Sequence, residues 1–335
     1  MLKRVAYYLA YRHDDYMKKV RFGVIGCSSI AKKSFIPAIK KSKNAHLITV
    51  ASRSKDKAKL FSIEFKSDYE NDYESLLSRN DIDVVYISTV PSTHESIIML
   101  AAKYGKHILC EKPLAISYNS TKKIVDYTKN KNVGLFEGFM YQFHSQHKII
   151  KDLIKNGEIG SPILFQAQFG FPPLNKENFR YTKNLGGGAL LDAGCYTIHA
   201  ARNFFECEPI NVNACIDLNN EDIDIHGSVL LDFGNSQTAF LSYGFNNSYR
   251  NNYKIWGTTG HLSVPRAFSV SADYKPKIIL EKQDVLKEIL CDNDNQFVNQ
   301  IDYFCDNVLK ENAQKFWAKD ILSQSKIMNQ VINKK

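Results

Sequence analysis

The sequence predicts an α/β protein in two parts: a doubly wound parallel sheet, then an α+β domain with a mainly antiparallel open sheet. Three observations carry this. Residues 20–140 alternate short β-branched runs with helical stretches, the pattern of a parallel sheet with helices on both faces. A glycine-led turn, "GVIGCSSIA", follows the first of these runs and opens a helix. From about residue 160 the period changes to the alternation of half-buried strands.

In the first part, Val20–Ile25, His46–Ala51, Val84–Ser88, His107–Cys110 and Val133–Phe136 read as buried strands. Between them, Ile30–Ser42, Ser54–Phe65, Tyr73–Ser78, Ser92–Tyr104 and Ser117–Asn130 read as helices, joined by the short connections this architecture uses. In the second part, Ile163, Phe165, Ala167, Phe169 and Phe171 alternate with Gln166, Gln168 and Gly170, so "ILFQAQFGF" is a strand with one face in a core. "GSVLLDFGNSQTAFLSYGF" reads as a hairpin turning at Gly234-Asn235, and "YKIWGTTGHLSV" as another turning near Gly260. "NQFVNQIDYFCDNVLK" has helical spacing, and a further helix lies close to the C-terminus. The expected boundaries are an extension over 1–16, a first domain over 17–140 and a second over 141–335, with the last helices packing back on the first domain. Residues 1–16 are set apart because Met17, followed by "KKVRFGVIG", looks like a natural start.

Composition narrows the class. A chain of 335 residues, 44% hydrophobic and 24% charged, is long enough for two cores and has no apolar run that crosses a bilayer. The N-terminal apolar patch is short and is followed by Arg12, His13, Asp14 and Asp15, not by a small-residue cleavage site, so it is not read as a signal peptide. Seven cysteines without a CxxC pair fit reduced thiols and a cytoplasmic location. The net charge of +9 is spread over many helices without a basic, aromatic-interleaved stripe. It therefore predicts a solvated surface that attracts small anions, with neither nucleic acid nor membrane as partner.

The glycine turn carries the first chemistry. Gly26, Ser28 and Ala31 occupy the three positions of the dinucleotide fingerprint, with Cys27, Ser29 and Ile30 between them. The first glycine allows the tight turn, the last small residue lets helix and strand pack, and the helix N-terminus presents amides to a pyrophosphate. Serine at the middle position departs from the pattern but is short enough to fit. The next strand ends in Ser52 and Arg53 where an NAD site places a carboxylate, and a guanidinium suits the 2′-phosphate of NADP. NADP is thus the expected cofactor.

Two further segments carry reactive groups. "HILCEKPLA" puts Glu111, Lys112 and Pro113 at the carboxyl end of the fifth predicted strand, where ligands bind in such sheets. "LGGGALLDAGCYTIHAARNFF" places Asp192, Cys195, Tyr196 and His199 on one face, if the run is helical. A metal site, a proton-transfer site and plain packing are all open for that face. Metal is the weakest, since Asp192, Cys195 and His199 lack a fourth ligand at a usual spacing. The three glycines before it either let the chain approach a ligand or form a simple loop-to-helix entry.

Taken in order, "GCSSIA", "ASR", "STVPSTHE", "EKP", "EGFMYQFHSQH" and "NLGGGALLDAGCYTIHAAR" resemble the Gfo/Idh/MocA oxidoreductases over about residues 20–205, and "GTTGHLSVPRAF" extends the likeness. The resemblance implies a nicotinamide-binding Rossmann domain and a sheet domain that holds substrate. It further implies that Lys112 is in the active site and that Thr89, Pro91, His94 and Glu111 lie beside the cofactor. The fourth residue after Asp192 is Tyr196, where the inositol dehydrogenase branch has histidine. This resembles the branch of dihydrodiol dehydrogenase, aldose dehydrogenases and nucleotide-sugar 3-ketoreductases, in which the tyrosine is the acid/base.

The chemistry agrees with that role. Reducing a ketone needs a proton on the developing alkoxide. A phenol near pKa ~10 serves better when an ammonium, here Lys112, lowers its pKa. Asp192 is expected to bind a sugar hydroxyl or to hold Lys112. The resemblance gives His199 and Cys195 no chemical role.

Departures from the family pattern bear on substrate. Gln142 stands where arginine is frequent, which counts against a standard aldose pocket. "HSQH" and "NFRY" resemble sugar 3-ketoreductases, so Arg180 and Tyr181 are expected at sugar or diphosphate and His144 at the pocket wall. The reading is NADPH-dependent reduction of a keto group on a nucleotide-linked hexose. Its alternative is an NADP-dependent aldose or dihydrodiol dehydrogenase. A non-catalytic NADP or sugar-nucleotide sensor is a different class, and intact Lys112 and Tyr196 argue against it. The family's sheet face implies a homodimer or homotetramer.

Overall fold

In the computed structural model, residues 19–218, 223–310 and 317–334 are described; the extension read at 1–16 lies outside them. The β-branched runs of the first part form a six-stranded, all-parallel sheet: β1 (Val20–Ile25), β2 (Ala45–Ala51), β3 (Asp68–Glu70), β4 (Val84–Ile87), β5 (His107–Glu111) and β6 (Leu135–Gly138). Their order, β3-β2-β1-β4-β5-β6, reverses direction between β1 and β4, and ligands of such sheets bind at that switch point. Sequence reading missed β3. It has three residues, none of them buried, and Arg79 holds it through Asp68 (2.7 Å) and Glu70 (3.0 Å), so no apolar pattern marks it.

The crossover helices start where short polar side chains cap them. A π-turn at Ala31–Phe35 runs into α1 (Ile36–Lys41). Ser54 caps α2 (Lys55–Phe65), Asp72 caps α3 (Tyr73–Ser78), and Ser117 caps α5 (Tyr118–Asn130), each by accepting an amide of the first turn. Between the last two, α4 spans His94–Lys103.

The second sheet has eight strands: β7 (Pro162–Gly170), β8 (Asn211–Leu218), β9 (Asp224–Gly234), β10 (Gln237–Gly244), β11 (Arg250–Gly257), β12 (His261–Val264), β13 (Lys277–Lys282) and β14 (Val285–Leu290). The order is β14-β13-β12-β11-β7-β10-β9-β8, antiparallel except for the β7–β10 pair. The β9–β10 hairpin turns through Asn235 and Ser236, both with positive φ (51° and 63°), the backbone of a twisted two-residue turn. One face of this sheet receives α6 (Ser145–Lys155) and α7 (Cys195–Phe205), with Phe165 and Phe204 stacked at 5.3 Å.

The last two helices close the molecule. Asn44 donates to Asp306 (2.8 Å) and Ser42 bonds Asp302, tying α8 (Gln296–Leu309) to the first sheet's layer. Thr121 and Ser325 (2.9 Å) join α5 to α9 (Trp317–Ile332), and Trp317 sits edge-on to Phe136 at 4.8 Å. One hydrophobic core therefore runs through both sheets. Among the described residues no helix is long and apolar enough to cross a membrane.

Candidate active site

A cleft of about 730 Å³ opens at the carboxyl ends of β1, β4 and β5 and is closed on its far side by the second sheet. Ser28, Ser29 and Ile30 line it from the glycine turn, and Ser88, Thr89 and Pro91 from the turn after β4. Gly26 has φ +99°, and a Cβ there would stand 3.1 Å from the Ser88 carbonyl and from Thr89, so only glycine makes this turn without strain. Ser28 accepts from the Ala31 amide (3.1 Å) and donates to Ser88 (2.9 Å), which in turn donates to the Gly26 carbonyl (2.9 Å). The middle serine thus locks the two turns together, while the first amides of the following helix have no intrahelical acceptor. Arg53 is exposed just past β2, beside Tyr73, and among the described residues no carboxylate lies within ion-pair distance of it. A turn closed to side chains, a helix N-terminus behind it and an unopposed guanidinium fit a nicotinamide dinucleotide carrying a 2′-phosphate.

Glu111 and Lys112 follow from the end of β5. The Glu111 carboxylate accepts from Tyr86 (2.5 Å), a buried phenol stacked on Phe35 at 3.4 Å, and burial raises its pKa. Lys112 Nζ donates to Asp192 Oδ1 (2.9 Å) and to the Asp192 carbonyl (2.8 Å). Arg180 grips the same carboxylate through Nε (2.6 Å) and Nη2 (3.1 Å). The Lys112 and Asp192 side chains are only 10% and 14% exposed. Burial alone would neutralise both, but the two cations hold the Asp192 carboxyl well below the carboxylate range, and Asp192 in turn holds Lys112 charged.

Tyr196 completes the cluster. Its ring lies under the Lys112 ammonium, 4.8 Å from Nζ to the ring centre, and edge-on to Phe139 and Phe169. Its hydroxyl donates to Met140 Sδ at 3.3 Å, a weak acceptor that a substrate oxygen outcompetes. Burial raises the phenol's pKa well above 10, and the Glu111, Cys195 and Asp192 side chains push the same way.

The profile of the oxidoreductase family with NAD-binding Rossmann fold (Gfo/Idh/MocA) matches residues 20–139, and that of the GFO/IDH/MocA C-terminal domain matches residues 147–263. The dTDP-3,4-didehydro-2,6-dideoxy-alpha-D-glucose 3-reductase of Saccharopolyspora spinosa is 36% identical over 293 residues, 87% of this chain and 88% of that one. The chain belongs to the Gfo/Idh/MocA oxidoreductases. The corresponding reductase of Actinomadura kijaniata is 34% identical over 313 residues, covering 93% and 94%. The crystal structure of KijD10, a 3-ketoreductase from Actinomadura kijaniata in complex with NADP and TDP-benzene, superposes with a TM-score of 0.91 at 33% identity over 94% of this chain and 98% of that one. The D-xylose 1-dehydrogenase (NADP(+)) 2 of Haloferax volcanii is 31% identical over 252 residues, 74% and 77% of the two chains.

Against this Gfo/Idh/MocA frame several expected site residues stand elsewhere. His94 is fully buried, its ring nitrogens on the carbonyls of Pro113 (3.0 Å) and Thr89 (3.1 Å), so it braces the two cofactor-side turns and does not line the cleft. His144 caps α6 by accepting from the Gln146 amide (3.2 Å); it is buried outside the cleft wall because that cap points its ring inward. The Tyr181 hydroxyl accepts from the Leu174 amide (3.1 Å) and donates to Asn246 (2.9 Å), which pins the loop carrying Arg180. Gln142 accepts from Asn203 (3.2 Å), away from the cleft, so its exchange for arginine says nothing about the sugar pocket. Ser52 and Cys27 sit behind the glycine turn, where burial pushes the Cys27 thiol up to about 11.

The single reactive face expected from Asp192 to His199 does not form. A π-turn at Leu190–Gly194 precedes α7, and of the four groups only Asp192 and Tyr196 line the cleft, with Lys112 between them. Cys195 is buried with its thiol pushed up to about 12. His199 bonds Tyr141 (2.7 Å) and stacks on Phe139, in the layer behind Tyr196. The phenol's pKa is raised and not lowered, because burial and the charges of Glu111, Cys195 and Asp192 outweigh the ammonium beside it. Sequence reading missed Met140 and Tyr86; Met140 opens the 3-10 turn that follows β6, and no pattern marks its contact with Tyr196.

Proposed function

We propose that this protein is an NADPH-dependent reductase of a keto group on a dTDP-linked deoxyhexose. The observation that carries the reading is one cleft in which a dinucleotide turn, a charged lysine and a protonated phenol converge at the switch point. The two relatives at 36% and 34% identity, both named as reductases of a dTDP-linked didehydro sugar, support the substrate class. Arg53 supports NADPH over NADH. Bound there, the reduced nicotinamide supplies hydride to the carbonyl carbon.

The protein's own groups handle the oxygen. Tyr196, its pKa raised, stays protonated through the physiological range and gives its proton to the alkoxide as that far stronger base forms. Lys112, kept charged by Asp192, donates to the same oxygen and stabilises its growing charge in a site shielded from water. Arg180 fixes Asp192 so that Lys112 keeps its direction. The solved structures of KijD10 include a tyrosine-to-phenylalanine and a lysine-to-alanine variant, each in complex with TDP-benzene and NADP, which supports a tyrosine and a lysine as the residues to test.

NADPH consumption with a dTDP-4-keto- or 3,4-diketo-hexose, set against free xylose, glucose and dihydrodiols, tests the reading. Turnover confined to the free sugars or diols overturns it in favour of the dehydrogenase alternative.

We also propose a homo-oligomer in the cytoplasm. The outer face of the second sheet leaves Leu230, Phe240 and Trp256 exposed, apolar surface that a second copy of the chain would cover. All seven cysteines are free, as in a reducing compartment. A monomeric mass by light scattering rejects the first statement, and recovery in an extracellular fraction rejects the second.

A further inference from the structure

The chemistry above leaves part of the cleft wall unused. On the side of the second sheet, Tyr249 and Ser269 line the cleft beside Phe297. Tyr249 is 41% exposed, yet it is held from two directions. Asn251, itself only 2% exposed, donates to the Tyr249 hydroxyl (3.0 Å) and to the Ser269 carbonyl (2.9 Å), and accepts from the Phe268 amide (2.7 Å). The Arg266 guanidinium lies over the Tyr249 ring, 4.7 Å from its centre. A solvent-exposed aromatic fixed this firmly contributes little to the core, but it is an ordered surface for a flat ring.

We infer that the Tyr249–Arg266 pair is the platform for the nucleobase of a nucleoside-diphosphate substrate. Stacking uses a held π-face, to which a cation adds, and both are in place. Because the Tyr249 oxygen accepts from Asn251, its own proton is left to donate, and the ring carbonyls of a pyrimidine such as thymine are acceptors. Arg266 and the cleft-lining Lys33 have no carboxylate within 4 Å among the described residues, while the cleft's carboxylates Glu111 and Asp192 are engaged. Arg266 beside the Tyr249 ring and Lys33 on the cofactor side of the cleft both favour a bound diphosphate.

The inference rests on the nucleotide-sugar reading and goes one step further, to the residues that recognise the nucleotide. Its test is dTDP binding by calorimetry to the full chain loaded with NADP, for the wild type, Tyr249→Ala, Tyr249→Phe and Arg266→Gln. NADPH affinity is measured in parallel as a check on folding. Tyr249→Ala is expected to weaken dTDP roughly tenfold or more and to raise KM for the dTDP-sugar in step, with NADPH affinity retained. Tyr249→Phe keeps the stack and loses only a few-fold, and Arg266→Gln makes the remaining affinity less sensitive to salt. Wild-type chain that binds dTDP, with Tyr249→Ala binding it equally well, overturns the platform and leaves the substrate reading intact. Wild-type chain that does not bind dTDP at all overturns both.

Discussion

Lys112 and Asp192 form a buried ion pair, 2.9 Å between Nζ and Oδ1, that decides where the ammonium points. Without it, burial would drive Lys112 toward its neutral form and free it to turn away from Tyr196. Asp192→Asn leaves Lys112 and Arg180 facing each other across an uncharged amide. It is expected to destabilise the chain by about 3 kcal/mol, the usual cost of stripping one partner from a buried pair. It should also lower kcat roughly 10²-fold, as when a donor to a developing oxyanion is lost. Denaturant unfolding and steady-state kinetics check both; wild-type kcat in a stable variant would show that Asp192 does not position the lysine.

Tyr196→Phe keeps the ring contacts with Phe139, Phe169 and Tyr141 and removes only the hydroxyl. Little stability is at stake, because the hydroxyl's partner, Met140 Sδ, is a weak acceptor. The expected result is a fall in kcat of roughly 10²–10⁴, the range of a lost general acid, with NADPH affinity retained. Single-turnover NADPH oxidation reads this directly. Unchanged kcat would move the proton donor to Lys112 or to solvent.

How much of this was legible in the sequence follows from what each signal measures. Buried parallel strands are almost wholly apolar, so β1, β2, β4, β5 and β6 stood out, whereas β3 is held by Arg79 and carries no such mark. The glycine turn was readable because Gly26 needs a backbone that other residues avoid. The grouping of Asp192 with His199 failed because helical spacing assumes 3.6 residues per turn, and a π-turn of five residues shifts the register by one. The pairing of Lys112 with Asp192, 80 positions apart, depends on how the two sheets meet. Spacing could not rank it against Tyr196 as the lysine's partner. The bonds that His94 and His144 make were hidden for a related reason: a histidine near a ligand-binding turn and one that braces or caps it look alike in one dimension.

Arg53 gives a cofactor test independent of the catalytic pair. The guanidinium is exposed past β2, with Ser52 buried behind it and, among the described residues, no carboxylate paired with it. Arg53→Ser is expected to raise KM for NADPH roughly ten- to hundredfold, the worth of hydrogen bonds to a charged group, and to leave NADH little changed. The ratio of kcat/KM for the two cofactors measures it. A ratio unaltered by the substitution would place recognition of the 2′-phosphate on other residues, such as Lys57.

Glu137 links the active-site turn to pH. It lies buried in β6, next to its last residue, and its Oε1 accepts from the Leu114 amide (2.8 Å), two residues beyond Lys112. Burial raises its pKa to about 8, with the Leu114 hydrogen bond opposing. An unfolded chain titrates the same group near ~4.3. Between those values the native state holds more protons than the unfolded one, so stability falls as pH rises. The contribution of the neutral carboxyl is complete below about 4.3 and is lost as pH climbs through about 8. Glu137→Gln keeps an acceptor for the Leu114 amide and removes the titration. Melting curves from acid to mildly alkaline buffer should therefore fall more steeply for the wild type than for the variant. Parallel curves would mean that Glu137 is already ionised in the folded protein, its charge balanced by Lys112 and Arg202 across the cluster.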